Sequence, residues 1–192
     1  MAACCAWAAP STGERRLSAR FNFRPLTHSD LPLLHEWLNR PHVAQWWQGA
    51  VSLEVVVEEY GAEIGSPLLQ QMLACLEGEP VGFIQSYLVM GADPEWWTGE
   101  TDPGARGIDQ FLANAEQLGR GLGTEMVRQF VAWLFEDARV SKVQTDPAPD
   151  NARAIRAYEK AGFQRVGELT TPDGVALLMV VERAQWRAPL DV

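Results

Sequence analysis

Cysteine is scarce in this chain, confined to Cys4, Cys5 and Cys75, and no spacing among them suits a disulfide framework or a metal cluster. Basic residues are also few, with 16 Lys and Arg against 25 Asp and Glu and a formal charge of −9. That balance argues against nucleic acid as a partner, because backbone phosphates demand cations, and it favours a cationic ligand drawn to an acidic cleft. No run of apolar residues approaches the roughly 20 needed to cross a bilayer. Internal repeats and low-complexity linkers are missing too. A chain of 192 residues that is 47% hydrophobic therefore reads as one globular domain, long enough for a well-buried core and too short for two typical ones.

The first 19 residues are small and alanine-rich, but their basic residues follow the apolar stretch, which is also short for a signal core. They are expected to be a flexible tail, with residues 20–192 forming the single domain of a soluble, cytoplasmic protein. Apolar periodicity then predicts a strand at 21–25, a helix from about 31 and a second helix over 53–64. A strand, turn and strand follow at 68–76 and 81–90, and then a tryptophan-bearing loop to 104. The next strand is expected over 107–117, a helix over 124–137, a strand over 142–145 and a helix over 152–161. A closing pair of strands covers 164–169 and 177–182. Strands alternating with helices around a hairpin point to an α/β fold with a mixed sheet.

Two local patterns carry chemistry. In Gln117-Leu-Gly-Arg-Gly-Leu-Gly-Thr124, alternate glycines run into an amphipathic helix, where close backbone approach, orphan N–H donors and the helix dipole favour an anion such as a diphosphate. No Gly-Lys-Ser/Thr follows, so the stretch is not a nucleoside-triphosphate loop, and no acidic residue stands where a dinucleotide fold requires one. The second pattern is Asp150-Asn-Ala-Arg-Ala-Ile-Arg-Ala-Tyr-Glu-Lys-Ala-Gly-Phe163. It reads as a helix with Asp150 or Asn151 as N-cap, Tyr158 about two turns inside and Gly162 in the left-handed C-terminal position.

Together these two patterns resemble the GCN5-related N-acetyltransferase (GNAT) family. Further segments, among them Gln45-Trp-Trp47, Gln85-Ser-Tyr87, Glu95-Trp-Trp97, Arg106-Gly-Ile-Asp-Gln110, Gln144-Thr-Asp-Pro147 and Thr170-Thr-Pro-Asp-Gly174, are similar to the aminoglycoside 6'-N-acetyltransferases within it. The resemblance spans roughly residues 20 to 183. It implies the GNAT fold, a mixed central sheet whose parallel strands splay apart, flanked by helices, with acetyl-CoA wedged between the arms.

By the same resemblance, backbone groups of Gln117, Leu118, Gly119, Arg120, Gly121, Leu122, Gly123 and Thr124 hold the pyrophosphate. Asn151 meets the pantetheine arm or simply caps its helix. The family's usual loop carries Arg or Gln where this chain has Leu118. Tyr158 is the implied acid for the departing thiolate, and Asp109 the implied base or anchor for the acceptor amine. Trp47, Tyr60, Gln85, Trp97, Asp109 and Asp146 are the implied aminoglycoside pocket. For Asp146 the residues alone also allow a turn aspartate before Pro147.

No metal is implied, and no nucleic acid or membrane partner; a monomer or weak homodimer is expected. Pro94 in the tryptophan loop, with Asp93 and Glu95 beside it, and Phe111 depart from relatives and leave the drug spectrum open. Two alternatives stand beside the leading reading. One is a GNAT enzyme acting on another amine, such as a siderophore-precursor hydroxylysine. The other is a non-catalytic module that binds acyl-CoA or an aminoglycoside.

Overall fold

The computed structural model describes residues 21–47, 49, 51–91, 96–97 and 99–187. The expected tail and the Asp93-Pro94-Glu95 stretch lie outside the described residues. Seven strands form one sheet in the order β1-β2-β3-β4-β5-β7-β6. They are β1 (Phe21–Pro25), β2 (Leu69–Leu76), β3 (Glu79–Leu88), β4 (Ala105–Leu112), β5 (Lys142–Thr145), β6 (Gln164–Thr171) and β7 (Gly174–Glu182). All neighbours are antiparallel except β4 and β5.

Strand alternation gives the sheet two apolar faces, and each is covered by helices whose own apolar stripes match it. On one face Ile84, Ile108 and Leu112 meet α4 (Leu122–Leu134) through Met126, Val127, Phe130 and Val131. On the same face α5 (Ala152–Ala161) packs through Ile155, Tyr158 and Ala161. On the other, Leu73, Phe83 and Phe111 meet α1 (Leu31–Leu38) and α3 (Leu53–Ala62) through Leu31, Leu34, Leu38 and Val56. A short helix α2 (Pro41–Ala44), absent from the sequence reading, starts on a proline at its first turn, where the missing N–H costs nothing.

The parallel pair decides where a ligand fits. Pairing between β4 and β5 is confined to Ala105 with Lys142, Arg106 with Val143 and Gly107 with Gln144. Beyond that, β4 stays hydrogen-bonded to β3 as far as Leu112, opposite Gly82, while β5 ends at Thr145. The strands therefore part after Gly107 and Gln144, which is the splay that the family resemblance implied.

Several boundaries differ from the sequence reading, those around the glycine loop most. β4 ends at Leu112 instead of 117, because Ala113 donates its last sheet bond to Val81 O at 2.8 Å and residues Ala115–Gln117 then wind into a 3-10 turn. Helix α4 starts at Leu122 instead of Thr124, with Gly121 as its N-cap in the left-handed region at φ 88°. It stops at Leu134 instead of 137, since the Arg183 guanidinium takes the carbonyls of Phe135, at 2.6 Å, and of Asp137.

Candidate active site

The glycine loop is held by its apolar residues and opened by its glycines. Leu118 and Leu122 pack against the core below α4, whereas Gly119, Arg120 and Gly121 are exposed. Gly119 and Gly121 take φ of 74° and 88°, and a side chain at either would point into open space. Gly121 offers no side-chain cap, so the first-turn amides of α4 are left for an outside acceptor. The loop also lies against the splayed end of β4, because the Cβ that Gly123 lacks would stand 3.8 Å from Leu112 Cδ1.

Asp109 and Asp146 occupy the two arms. Asp109 sits on β4 just past the divergence, directly opposite Gln85 on β3, whose Nε2 donates to Oδ2 at 2.9 Å. Asp146 follows the last residue of β5 and accepts the indole N–H of Trp96 on Oδ2 at 2.8 Å. Burial is the first cause raising both carboxyls above their usual range; the Gln85 bond resists it at Asp109. At Asp146 the neighbouring Asp109 adds to burial, and together they push the value up to about 7. Like charges this near one another are costly when both are ionised, and a cation between them relieves that cost.

Tyr158 is buried at 4% exposure, its ring 5.4 Å from that of Phe163. Its hydroxyl lies by Thr145 at the end of β5 and Gln110 on β4, and so spans the arms. Burial pushes the phenol well above its ordinary value, with Asp109 and Asp146 adding to it, so Tyr158 stays protonated at neutral pH. Asn151 is the N-cap of α5 and accepts from Ala154 N at 3.1 Å. Its oxygen is therefore engaged by the helix, while its amide N–H groups stand available to a ligand.

The aromatic residues divide into two groups. Trp47 and Tyr60 join edge to face with Phe83 at 6.0 and 5.8 Å, and Trp47 Nε1 donates to the Tyr60 hydroxyl at 2.7 Å. Tyr60 lies close enough to Asp109 to feel its charge, and burial, the main cause, brings its phenol to about 12. Trp97, 8% exposed, packs with Val89 and Ala105, its ring 6.4 Å from Tyr87.

Tyr87 was not singled out by sequence reasoning. It shares a face with Gln85 two residues away, and its ring lies over Gly107, where an added Cβ would come within 2.2 Å of the ring carbons. Its hydroxyl is raised well above the ordinary value by burial first and then by Asp109 and Asp146. The period-2 spacing from Gln85 was the available signal. Trp96, as partner of Asp146, had none, since the two are separated by 50 positions.

A cleft of about 420 Å³ at the other end of β4, between Arg106, Trp133 and Arg139, is lined in part by Tyr87 but by neither carboxyl, nor Tyr158, nor the glycine loop. Among the described residues no cluster of His, Cys, Asp and Glu is arranged to hold a metal ion, and no helix is long and apolar enough to cross a membrane.

A family model described as an acetyltransferase (GNAT) domain matches residues 27–171. This chain belongs to the GNAT acetyltransferases. It is 52% identical over 164 residues to an aminoglycoside N(6')-acetyltransferase type 1 of Klebsiella pneumoniae, covering 83% of this chain and 82% of that one. Two solved structures of the aminoglycoside acetyltransferase AAC(6')-Ib superpose closely. One, in complex with coenzyme A and kanamycin, is 51% identical with a TM-score of 0.83, over 86% of this chain and 96% of the other. The other, in complex with paromomycin and acetyl-CoA, is 50% identical with a TM-score of 0.84, over 90% and 99% of the two chains.

Acyl transfer from a thioester to an amine needs a seat for the donor, a neutral nitrogen held against the carbonyl, and a proton for the departing thiolate. Strand β4 meets the glycine loop at Leu112 and the Tyr158 phenol at Gln110 and carries Asp109 on its opposite face, while Asp146 follows β5.

Proposed function

We propose that this acetyltransferase moves the acetyl group of acetyl-CoA to the 6'-amine of kanamycin- and tobramycin-class aminoglycosides in the cytoplasm, and so confers resistance to them. The observation that carries the reading is the pair of buried carboxyls, Asp109 and Asp146, set on the two arms of the splay, with the Tyr158 phenol at Thr145 and Gln110 and within the field of both. A polyamine is the ligand that such a pair favours, because each ammonium it brings stabilises an otherwise costly charge. The 52% identity to an enzyme named for N(6')-acetylation supports the same class.

In this mechanism the amides of residues 118–124 take the pyrophosphate of acetyl-CoA, and the pantetheine runs into the gap between β4 and β5. Asn151, its oxygen engaged in capping, offers that arm an amide donor. Trp47, Tyr60, Gln85 and Trp97 bound the drug, which is held by Asp109 and Asp146. Asp109 anchors the 6'-ammonium and takes its proton directly or through water. The freed nitrogen attacks the thioester carbonyl to form a C–N bond; the C–S bond then breaks as Tyr158 gives its proton to the thiolate, and the proton still surplus on the nitrogen passes through water to restore the phenol. Holding both substrates together supplies a large part of the rate, and the proton donor contributes roughly 10²- to 10⁴-fold more.

The test is thiol release from acetyl-CoA with paired aminoglycosides that differ only in carrying an amine or a hydroxyl at the 6' position. Turnover confined to the amino members, and reduced at least about 100-fold in kcat by Tyr158→Phe, is the expected result. Equal turnover of both members, or none with either, would remove the 6'-amine as the acceptor.

A further inference from the structure

Trp96 has no part in the mechanism above, yet its indole N–H crosses the site. It belongs to the connection between β3 and β4, while Asp146, which takes its hydrogen bond at 2.8 Å, closes β5. The bond thus ties one side of the divergence to the other. The ring is half-buried and packs with Trp97, Tyr87, Leu169 and Leu178 around Val89 and Ala105, so the donor is carried on a supported platform. The carboxylate stands in a mostly buried position beside Asp109, where the Trp96 indole is the side chain that holds it and its own backbone N–H adds a hydrogen bond.

We infer that Trp96 is a positioning residue for substrate binding: its indole N–H pins Oδ2 of Asp146 from across the splay and so holds that carboxylate in place for a second ammonium of the drug. The inference rests on the aminoglycoside reading for the identity of that ammonium, but the tie itself does not. Its electrostatic consequence has a definite sign. Asp146 is faced by Asp109 from β4 and Asp173 from the β6–β7 turn, both of which raise it. Tyr87 from β3 and Tyr158 from α5 also lie within its field, both as neutral phenols. The Trp96 hydrogen bond favours the ionised form, with the backbone N–H of Asp146 itself adding to it. Removing the donor therefore moves the titration of Asp146 upward and leaves a smaller ionised fraction to meet a cation at neutral pH.

The substitution that isolates this role is Trp96→Phe, which keeps an aromatic ring and deletes the N–H. The ligand-free protein is titrated by carbon-13 NMR of its side-chain carboxyls, the Asp146 resonance being assigned by its loss in Asp146→Asn. In parallel, KM and kcat for kanamycin are measured from pH 6 to 8.5. The expected midpoint for Asp146 rises by roughly half to one pH unit. KM for the drug rises several-fold at pH 7 and converges on the wild-type value toward pH 8.5, while kcat stays within about twofold. In an Asp146→Asn background Trp96→Phe adds no pH dependence.

An unmoved midpoint, with KM raised equally at every pH, would show that Trp96 only packs its loop and would overturn the inference. Should Trp96→Phe lose its fold, Trp96→Gln places an amide N–H the same number of bonds from Cα and is expected to keep the wild-type midpoint; a midpoint raised as far as in Trp96→Leu would contradict the role. The titration needs no drug, so a protein that acetylates no aminoglycoside yet shows the shifted midpoint would sink the substrate reading and leave the tie standing.

Discussion

A carboxyl that titrates near neutrality is an expensive residue for a fold to keep, and Asp146 shows what the expense is for. Its ordinary value is 3.8, and burial followed by Asp109 brings it to about 7. Between those values the folded protein holds a proton that the unfolded chain has released. Stability from this group is therefore greatest at low pH and declines as pH rises from about 4 to about 7, beyond which the full penalty stands. Asp146→Asn removes the charge and keeps an oxygen for Trp96. It is expected to stabilise the ligand-free protein by more than about 1 kcal/mol at pH 8, and by progressively less toward pH 5. Urea denaturation at the two pH values measures this, and a variant less stable than wild type at pH 8 would show that the carboxylate is already satisfied by the fold. The same variant is expected to bind kanamycin more weakly at pH 8, so stability and ligand affinity move in opposite directions.

At the scale of elements, the join between β4 and α4 does most to shape the site. Gly121 is both the left-handed residue that ends the loop and the N-cap that leaves the first amides of α4 without a side-chain partner. Gly121→Ala meets no neighbour at its Cβ, so its cost is confined to backbone strain of about 1 kcal/mol and to whatever stands over the loop. The expected outcome is a rise in KM for acetyl-CoA of about tenfold or more, with KM for the aminoglycoside little changed. Steady-state kinetics varying each substrate in turn checks it, and an equal rise in both constants would place the effect in global stability instead.

The elements also show what was readable beforehand. The strands at Phe21–Pro25 and Lys142–Thr145 and the helix Ala152–Ala161 are found where apolar spacing and the Asn151 and Gly162 caps put them. The strand through Asp109 was read five residues too far at its C-terminal end, because no proline or glycine comes before Gly119, and the chain instead turns at Ala115–Gln117 in a 3-10 helix. Asp109, Tyr158 and the glycine loop were legible because each sits in a contiguous motif. Tyr87 over Gly107 and Trp96 on Asp146 were not, since those contacts depend on how distant segments meet across the sheet.

Taken whole, the described residues form a sheet with helices packed on both faces and a parting where β4 and β5 separate. Everything assigned a chemical task lies on the margins of that opening: the amides of α4, the phenol of α5, the carboxyls of the two arms and the aromatic residues of the second face. The chain's acidity suits a polycationic substrate, since a net charge of −9 draws such molecules toward the surface before the pocket selects among them. The central claim is that the opening joins a thioester donor to one particular nitrogen of a polyamine. Its most direct measurement is the NMR structure of the product formed from kanamycin and acetyl-CoA by the purified protein. The account predicts a single acetyl group per drug molecule, attached to the 6' nitrogen. An acetyl group on any other nitrogen, or coenzyme A released with the drug unmodified, would contradict it.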